Sequence, residues 1–322
     1  MPTHSPLPMR HGLRAAWVRT PDRDPANPMP WASMRDFLRH KLPAEVDVDA
    51  MLTDGRFVDD DGRPWNGDEI YRPHTFVHFH RDLRPEPELP FELDVLHVDE
   101  RIVVVDKPHF MASIPRGRHV TQSVVVKARE MLGLPELGPA HRLDRLTAGV
   151  LVLTTEQRWR APYQRMFEAR VPVKTYEALA PLRDDLELPR RVESHIRKDH
   201  GTAQAYEVEG AAINAITDVH LEERRVVTTG DEGDEGDARA HQVGLYRLEP
   251  STGRTHQLRV HMSGLGVPIC GDPLYPRELA VDIDDYSTPL QLLARRLEFV
   301  DPLDGRTRVF TSRRELTLED AT

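Results

Sequence analysis

Two short aliphatic runs constrain the fold more than any other feature. Ile102 to Val105 in RIVVVDKP and Val150 to Leu153 in HRLDRLTAGVLVLT leave no polar face on an extended chain, so both read as strands inside a sheet. The second run is preceded by His141, Arg142, Asp144, Arg145 and Gly149. A carboxylate at the mouth of a buried strand is either a turn cap or a reactive group, and the residues alone leave both open.

At 322 residues and 39% hydrophobic content the chain can bury a large core. No window is apolar enough to span a bilayer, and MPTHSPLPMRHG lacks the layout of an export signal. The single cysteine, Cys270, fits a reducing compartment, so a cytoplasmic protein without a membrane partner is expected. A net charge of −10 argues against broad coating of nucleic acid, while leaving room for a local basic cleft. Part of that acidity sits in TTGDEGDEGDARA, residues 228–240, whose composition predicts a mobile surface insertion.

The first thirty residues read as a loose, Pro-rich arm. In SMRDFLRHKLP, Met34, Phe37, Leu38 and Leu42 recur at helical spacing, and Ser33 with Asp36 forms a capping-box pattern. VDAMLTDGRFV gives a second short helix ending at Gly55 and passing into strand-like GRFV; a DDDG turn and the strand HTFVHFHR follow. Residues 31–85 thus make a small αβ unit. His78 and His80 share a strand face without a third ligand, which favours a solvated edge over a metal site. A linker broken by Pro85, Pro87 and Pro90 leads into the main domain, 88–322. Strands are expected at 149–154, 174–181, 205–208, 244–249, 254–262 and 296–300, and helices near 121–132 and 160–170. That order predicts an α+β sheet domain and not a doubly wound one.

Three stretches look chemical: PAHRLDRLTAGVLVLT; KTYEALAPL, where alternation fixes the face of Tyr176; and STGRTHQLRVHMSGLGVPICGDPLYP. With 254–262 extended, Thr255, Gln257, Arg259 and His261 share one face while His256, Leu258, Val260 and Met262 share the other, so His256 and His261 are not expected on one metal.

In this order the stretches resemble the RluA-type family of RNA pseudouridine synthases, from about Leu93 to the C-terminus. HRLDRLTAG is similar to the family's aspartate loop, KTYEA to its tyrosine strand, GRTHQLRVHMSGLGVPICGDPLYP to its arginine strand and turn, and LLARRLEFVDPLDG, from Leu292, to its closing segment. The resemblance implies a mixed, largely antiparallel catalytic sheet. The 31–85 unit resembles the S-four-like RNA-binding module first described in a small-subunit ribosomal protein; a plain αβ cap is the alternative.

Pseudouridine formation breaks the bond from the uracil nitrogen to the anomeric carbon, turns the base and rejoins it through carbon 5. Atoms are neither gained nor lost, so no cofactor, nucleotide or metal is expected, and the chain has no phosphate-loop motif or Cys/His cluster. The resemblance makes Asp144 the acting carboxylate, as nucleophile or as proton acceptor in a glycal-type route. Arg259 would be its charge partner, and Tyr176 the platform for the flipped base. His141, Arg142, Arg145, Lys174, Arg254, His256 and Gln257 would hold the substrate, and Leu292 or Leu293 would supply an apolar pocket wall. Without the resemblance Asp144 reads as a turn cap and Tyr176 as a core residue. Leu146, Ala148, Leu293 and Ile114 depart from the family pattern, which bears on the target more than on the reaction.

The expected partner is structured RNA, ribosomal or transfer, acted on by a monomer. A non-catalytic, ribosome-associated RNA-binding protein is the alternative from another class. Glycoside hydrolysis would need a second carboxylate, which these motifs do not supply.

Overall fold

The computed structural model describes residues 5–22, 31–229 and 239–317, and the chain divides into two compact units, Met1–Pro85 and Glu86–Thr322. Most of the acidic tract expected to be a mobile insertion, 230–238, lies outside the described residues.

The first unit contains β1 (Ala16–Arg19), α1 (Met34–Lys41), α2 (Val48–Thr53) and β2 (Phe76–Phe79). Ser33 caps α1 by the full reciprocal box with Asp36. Met34, Phe37 and Leu38 of α1 pack with Met51 and Leu52 of α2 and with Val77 and Phe79 of β2. Two expectations need correction. The arm is not loose throughout, since β1 pairs antiparallel with β2, Ala16 opposite Phe79 and Arg19 opposite Phe76. His78 is not at a solvated edge either: it is fully buried, with Nε2 2.8 Å from Asp60 Oδ1. GRFV forms only isolated bridges at Val58.

The second unit runs β3 (Asp94–Val98), β4 (Ile102–Lys107), α3 (Val124–Leu132), β5 (Gly138–Pro139), β6 (Ala148–Thr154), α4 (Gln157–Glu168), β7 (Val173–Pro181), β8 (Arg190–Ser194), β9 (Ile196–Arg197), β10 (Tyr206–Glu207), β11 (Ala215–Thr229), β12 (Arg239–Pro250), α5 (Gln257–Gly264), β13 (Leu292–Val300) and β14 (Thr307–Thr311). Its main sheet has ten strands, eight of them in the order β3-β4-β6-β13-β7-β12-β11-β8, with β5 beside β6 and β14 beside β13. Every pairing is antiparallel except β6 with β13. The unit is therefore α+β with a mixed, mostly antiparallel sheet.

The aliphatic runs lie where two layers of helix meet the sheet. Val103 and Val105 of β4 and Leu151 and Leu153 of β6 pack with Val124, Val125 and Ala128 of α3. The alternate residues, Ile102, Val104, Val150 and Val152, pack with Tyr163 and Met166 of α4. Each fully buried side chain of this size is worth about 1.5–3 kcal/mol, and period-two alternation feeds both layers from one strand. Gly149 is where the parallel pair closes: its φ is +112°, and a Cβ there would lie 2.3 Å from the Ala294 carbonyl oxygen. Only glycine permits that approach.

One expected strand is a helix. Residues 257–264 form α5, and Gln257 to Met262 are all buried. The polar members of the apparent alternation find partners inside the protein. Gln257 Nε2 donates to Thr217 Oγ1 and the Ile216 carbonyl, both at 2.9 Å. His261 lies between Thr217 and Ser194 hydroxyls at 2.9 and 3.0 Å. A helix buried on all sides shows no amphipathic stripe, and the accidental period of two filled that gap.

Candidate active site

The loop before β6 is pinned through its backbone. Ser113 Oγ donates to the Leu143 carbonyl at 2.8 Å and accepts from the Leu143 N–H at 3.1 Å. The Asp144 carbonyl accepts from Thr147 N at 3.2 Å. Lys107 Nζ donates to the carbonyls of Arg145, Pro108 and Met111 at 3.0, 3.0 and 2.8 Å, using all three ammonium protons. His109 Nδ1 donates to the Leu146 carbonyl at 2.8 Å. Four consecutive carbonyls are thus occupied, and this backbone is preorganised. Burial lowers the Lys107 pKa well below its ordinary value, and the Asp144 charge pulls it back up. Sequence reasoning missed Lys107, Ser113 and His109. The legible signal was the Asp106–Lys107 pair continuing an aliphatic strand, since charged groups carried into a sheet interior must be buried with partners of their own.

The Asp144 side chain is 38% exposed and makes no side-chain hydrogen bond among the described residues, so it is not a turn cap. It lines a cleft of about 2070 Å³ shared with Tyr176, Lys174, Lys198, Arg254, His256 and Leu292. His256 Nε2 lies 4.0 Å from its Oδ2. His256 sits at φ +58° just ahead of α5, a costly conformation for a non-glycine residue. Its Nδ1 meets the Tyr275 hydroxyl at 3.0 Å, and that hydroxyl is fixed by the Ala205 N–H and carbonyl at 2.6 and 2.9 Å. Burial lowers the His256 pKa to about 3. The imidazole beside Asp144 is therefore neutral near pH 7, and the contact is not an ion pair.

Tyr176, on β7, packs against the core cluster containing Ala178 and Leu292. Its hydroxyl bonds to no described protein group, and burial with the nearby Asp144 charge raises its pKa. Leu292 opens β13 on the same side as Tyr176, whereas Leu293 packs with Ala148 and Leu179 in a different cluster. Among the two, Leu292 is the residue in the cleft wall.

Arg259 lies elsewhere than expected. It is on α5 and not on a strand, and its side chain is 2% exposed. Its Nε and Nη2 reach the two Asp272 oxygens at 2.7 and 2.5 Å, and its guanidinium lies 5.2 Å from the Tyr275 ring centroid. Asp272 Oδ1 also accepts from the backbone of Leu274 and Tyr275. The expected pairing of Arg259 with Asp144 is corrected: its bidentate partner is Asp272, in GDPLYP.

The expected substrate groups separate into two sets. Arg142 is exposed on the rim, and Arg254 is exposed with Nε 3.3 Å from the Asn214 carbonyl. Lys174 is half-buried, its Nζ 3.0 Å from the Thr252 carbonyl. Arg145 is anchored on the Ile283 carbonyl at 3.3 Å and over Phe110. His141 and Gln257 are corrected. His141 Nε2 accepts the Val152 N–H at 3.1 Å, its ring stacks on Phe167 at 4.1 Å, and burial drives its pKa to about 3, so it presents no cation to a phosphate. The Gln257 amide is spent on Thr252, Arg254, Ile216 and Thr217 and holds the turn into α5. Sequence reasoning also missed Lys198, in the segment between β9 and β10, which is close enough to feel the Asp144 charge.

A family model described as RNA pseudouridylate synthase matches residues 101–264. A dual-specificity RNA pseudouridine synthase RluA of Haemophilus influenzae is 31% identical over 232 residues, 70% of this chain and 95% of that one. The enzyme of the same name from Salmonella typhi is 31% identical over 70% of this chain and 94% of its own. Ribosomal large subunit pseudouridine synthase D of Pseudomonas aeruginosa is 28% identical over 76% and 78%. Among solved structures, human RNA pseudouridylate synthase domain containing 1 superposes with a TM-score of 0.54 at 24% identity, covering 71% of this chain and 86% of its own, a likeness of fold. The chain belongs to the RluA-type RNA pseudouridine synthase family, isomerases acting on RNA.

Proposed function

We propose that this isomerase converts a uridine in a looped or single-stranded part of structured RNA, ribosomal or transfer, into pseudouridine, with Asp144 as the acting carboxylate. The observation that carries the assignment is the pairing of a free carboxylate with a free phenol. Asp144 and Tyr176 line one cleft, neither makes a side-chain hydrogen bond among the described residues, and burial together with the Asp144 charge raises the Tyr176 pKa. The cleft has room for an extruded nucleotide, and unstacking costs least in loops.

In this reading Asp144 either attacks the anomeric carbon or takes a proton beside it as the base nitrogen leaves. The base turns against Tyr176 and Leu292; as carbon 5 bonds to the anomeric carbon, the Asp144 ester bond breaks or, in the glycal-type route, Asp144 returns its proton to the neighbouring sugar carbon, and the carbon 5 proton departs while the freed nitrogen gains one. The Tyr176 hydroxyl, without a hydrogen-bond partner among the described residues, serves that proton transfer. Arg142, Lys174, Lys198 and Arg254 meet phosphates, and neutral His256 hydrogen-bonds the sugar or base beside Asp144. Arg259 acts through Asp272, holding the GDPLYP wall in place. No step requires a cofactor or metal.

The readings of residues 31–85 as an S-four-like RNA-binding module, of a monomer and of a cytoplasmic location belong to the same proposal. The module reading is supported by the capped α1, by α2, and by the turn in which Asp59 accepts from Asp61 and Arg63 N–H groups at 2.9 and 2.8 Å. Its test is the salt dependence of RNA affinity with and without residues 1–85, where a lower slope means lost phosphate contacts.

The decisive experiment maps pseudouridine in total RNA from cells with the protein, without it, and with Asp144→Asn. One or more sites present only with the unaltered chain are expected. Identical maps in all three overturn the assignment.

A further inference from the structure

We propose that the outer face of the β1/β2 ribbon in the first unit is a stacking platform for an unpaired nucleotide of RNA. The inference rests on the reading that the protein's substrate is RNA. Ala16 and Val18 of β1 face the core with Val77 and Phe79 of β2. Period two then puts Trp17, Arg19, Phe76 and His78 on the opposite face. His78 is covered, but Trp17 is 40% exposed and meets Phe76 edge-on, centroids 5.5 Å apart at 78°. The Arg19 guanidinium lies 6.0 Å from the Phe76 centroid.

Arg35, Arg39, Arg56 and Arg63 of the same unit each pair with at least one aspartate. Arg19 belongs, with Arg10, Arg14, Arg72, Arg81 and Arg84, to the arginines of this unit without a carboxylate partner among the described residues. The Arg19 side chain reaches His74 Nδ1, at 2.8 Å. Accepting that bond requires a neutral imidazole, whose other nitrogen faces Asp22 at 3.3 Å. His74 itself has φ +59°. The result is an exposed indole set edge-on against Phe76 and bordered by a guanidinium oriented by His74. An anionic ligand with a π-face matches both features. Aromatic rings and arginine planes bind unpaired bases in this way, with the cation taking the adjacent phosphate.

The test uses the full chain carrying 5-fluorotryptophan at its four tryptophans, with the Trp17 resonance assigned by Trp17→Phe. The probe is a single-stranded RNA of about eight nucleotides, with a blunt RNA duplex as control. The Trp17 resonance is expected to move with the single strand and not with the duplex. Trp17→Ala and Arg19→Ala should each weaken single-strand affinity about fivefold or more, while Trp17→Phe retains most of it and Arg19→Ala lowers the salt slope by about one. A stationary Trp17 resonance, absence of single-strand binding, or unaltered affinity in both alanine variants overturns the platform. Arg19→Ala removes no core group, so it stays informative if Trp17→Ala fails to fold. Pseudouridine mapped in total RNA from cells carrying the unaltered chain or Arg19→Ala separates the two ideas: sites made by the unaltered chain with an inert ribbon reject only the platform, and absence of any site dependent on the unaltered chain rejects the proposed function.

Discussion

Asp144 and Arg259 line the same cleft, yet the fold treats their charges in opposite ways. Arg259 is buried and neutralised by a bidentate carboxylate of its own. Asp144 is partly open, without a side-chain hydrogen bond among the described residues and beside a neutral imidazole. The fold spends its ordering on the backbone that carries Asp144 and leaves the carboxylate itself uncommitted. On the role proposed for Asp144, reactivity is thereby separated from stability: one charge is left for the substrate, the other holds the wall.

The sharpest way to break this contrast is to remove each carboxylate in turn. Asp144→Asn should lower the rate of pseudouridine formation by about 10⁴-fold or more, measured in single turnover. Its melting midpoint should move little, because the half-exposed carboxylate makes no side-chain hydrogen bond among the described residues and Lys107 keeps its three carbonyl acceptors. Asp272→Asn should do the reverse. It strands a buried guanidinium, at a cost of about 3–5 kcal/mol. At roughly 2–4 °C per kcal/mol, denaturation should shift by roughly 6 to 20 °C. Equal stability of the two variants would show that Arg259 does not depend on Asp272.

The histidines sharpen the contrast through pH. Burial holds His141 and His256 near pKa 3 and His109 and His261 near 4, below the unfolded value of about 6.5. As pH falls below about 6.5 the unfolded chain takes up protons that the native chain refuses, so stability declines down to the folded pKa values and levels off beneath them. Thermal denaturation between pH 7.5 and 4 should show this fall. His261→Gln should flatten it, whereas Asp144→Asn should leave it in place. A slope unaffected by His261→Gln would mean that its neutral state is not what the buried Thr217 and Ser194 contacts require.

These differences also explain what the sequence made legible. β4 and β6 were readable because both faces bury aliphatic residues, and Gly149 because backbone contact demands it. The aspartate loop was readable as a motif, but its anchors were not, since Lys107, Ser113 and His109 reach it from a preceding segment. α5 was misread because Gln257, Arg259 and His261 owe their burial to Thr217, Asp272 and Ser194, partners that no local pattern reveals. β1 was missed because Ala16 to Arg19 is too short to show a period, and its strand character comes from pairing with β2.

Tyr176→Phe probes the chemistry more finely than loss of the carboxylate. The ring and its packing against the Ala178 and Leu292 cluster stay, and the hydroxyl leaves behind no unsatisfied described group. Stability should therefore hold. The chemical step should slow by about 10²-fold or more if the hydroxyl moves the proton, with RNA affinity unchanged. A wild-type rate in this variant would assign Tyr176 to stacking alone.

The smallest effect belongs to the rim. Arg142 is exposed among the cleft-lining residues, so Arg142→Ala should leave the melting midpoint and the single-turnover rate at saturating RNA close to wild type. What changes is the electrostatic share of binding: the slope of log affinity against log salt should fall by about one, and half-saturation should move to higher RNA concentration. His141→Gln keeps a side-chain acceptor for the Val152 N–H, and it should not change that slope. If it does, the neutral, stacked imidazole assigned to His141 is wrong, and the boundary between scaffold and RNA contact runs one residue earlier in the loop.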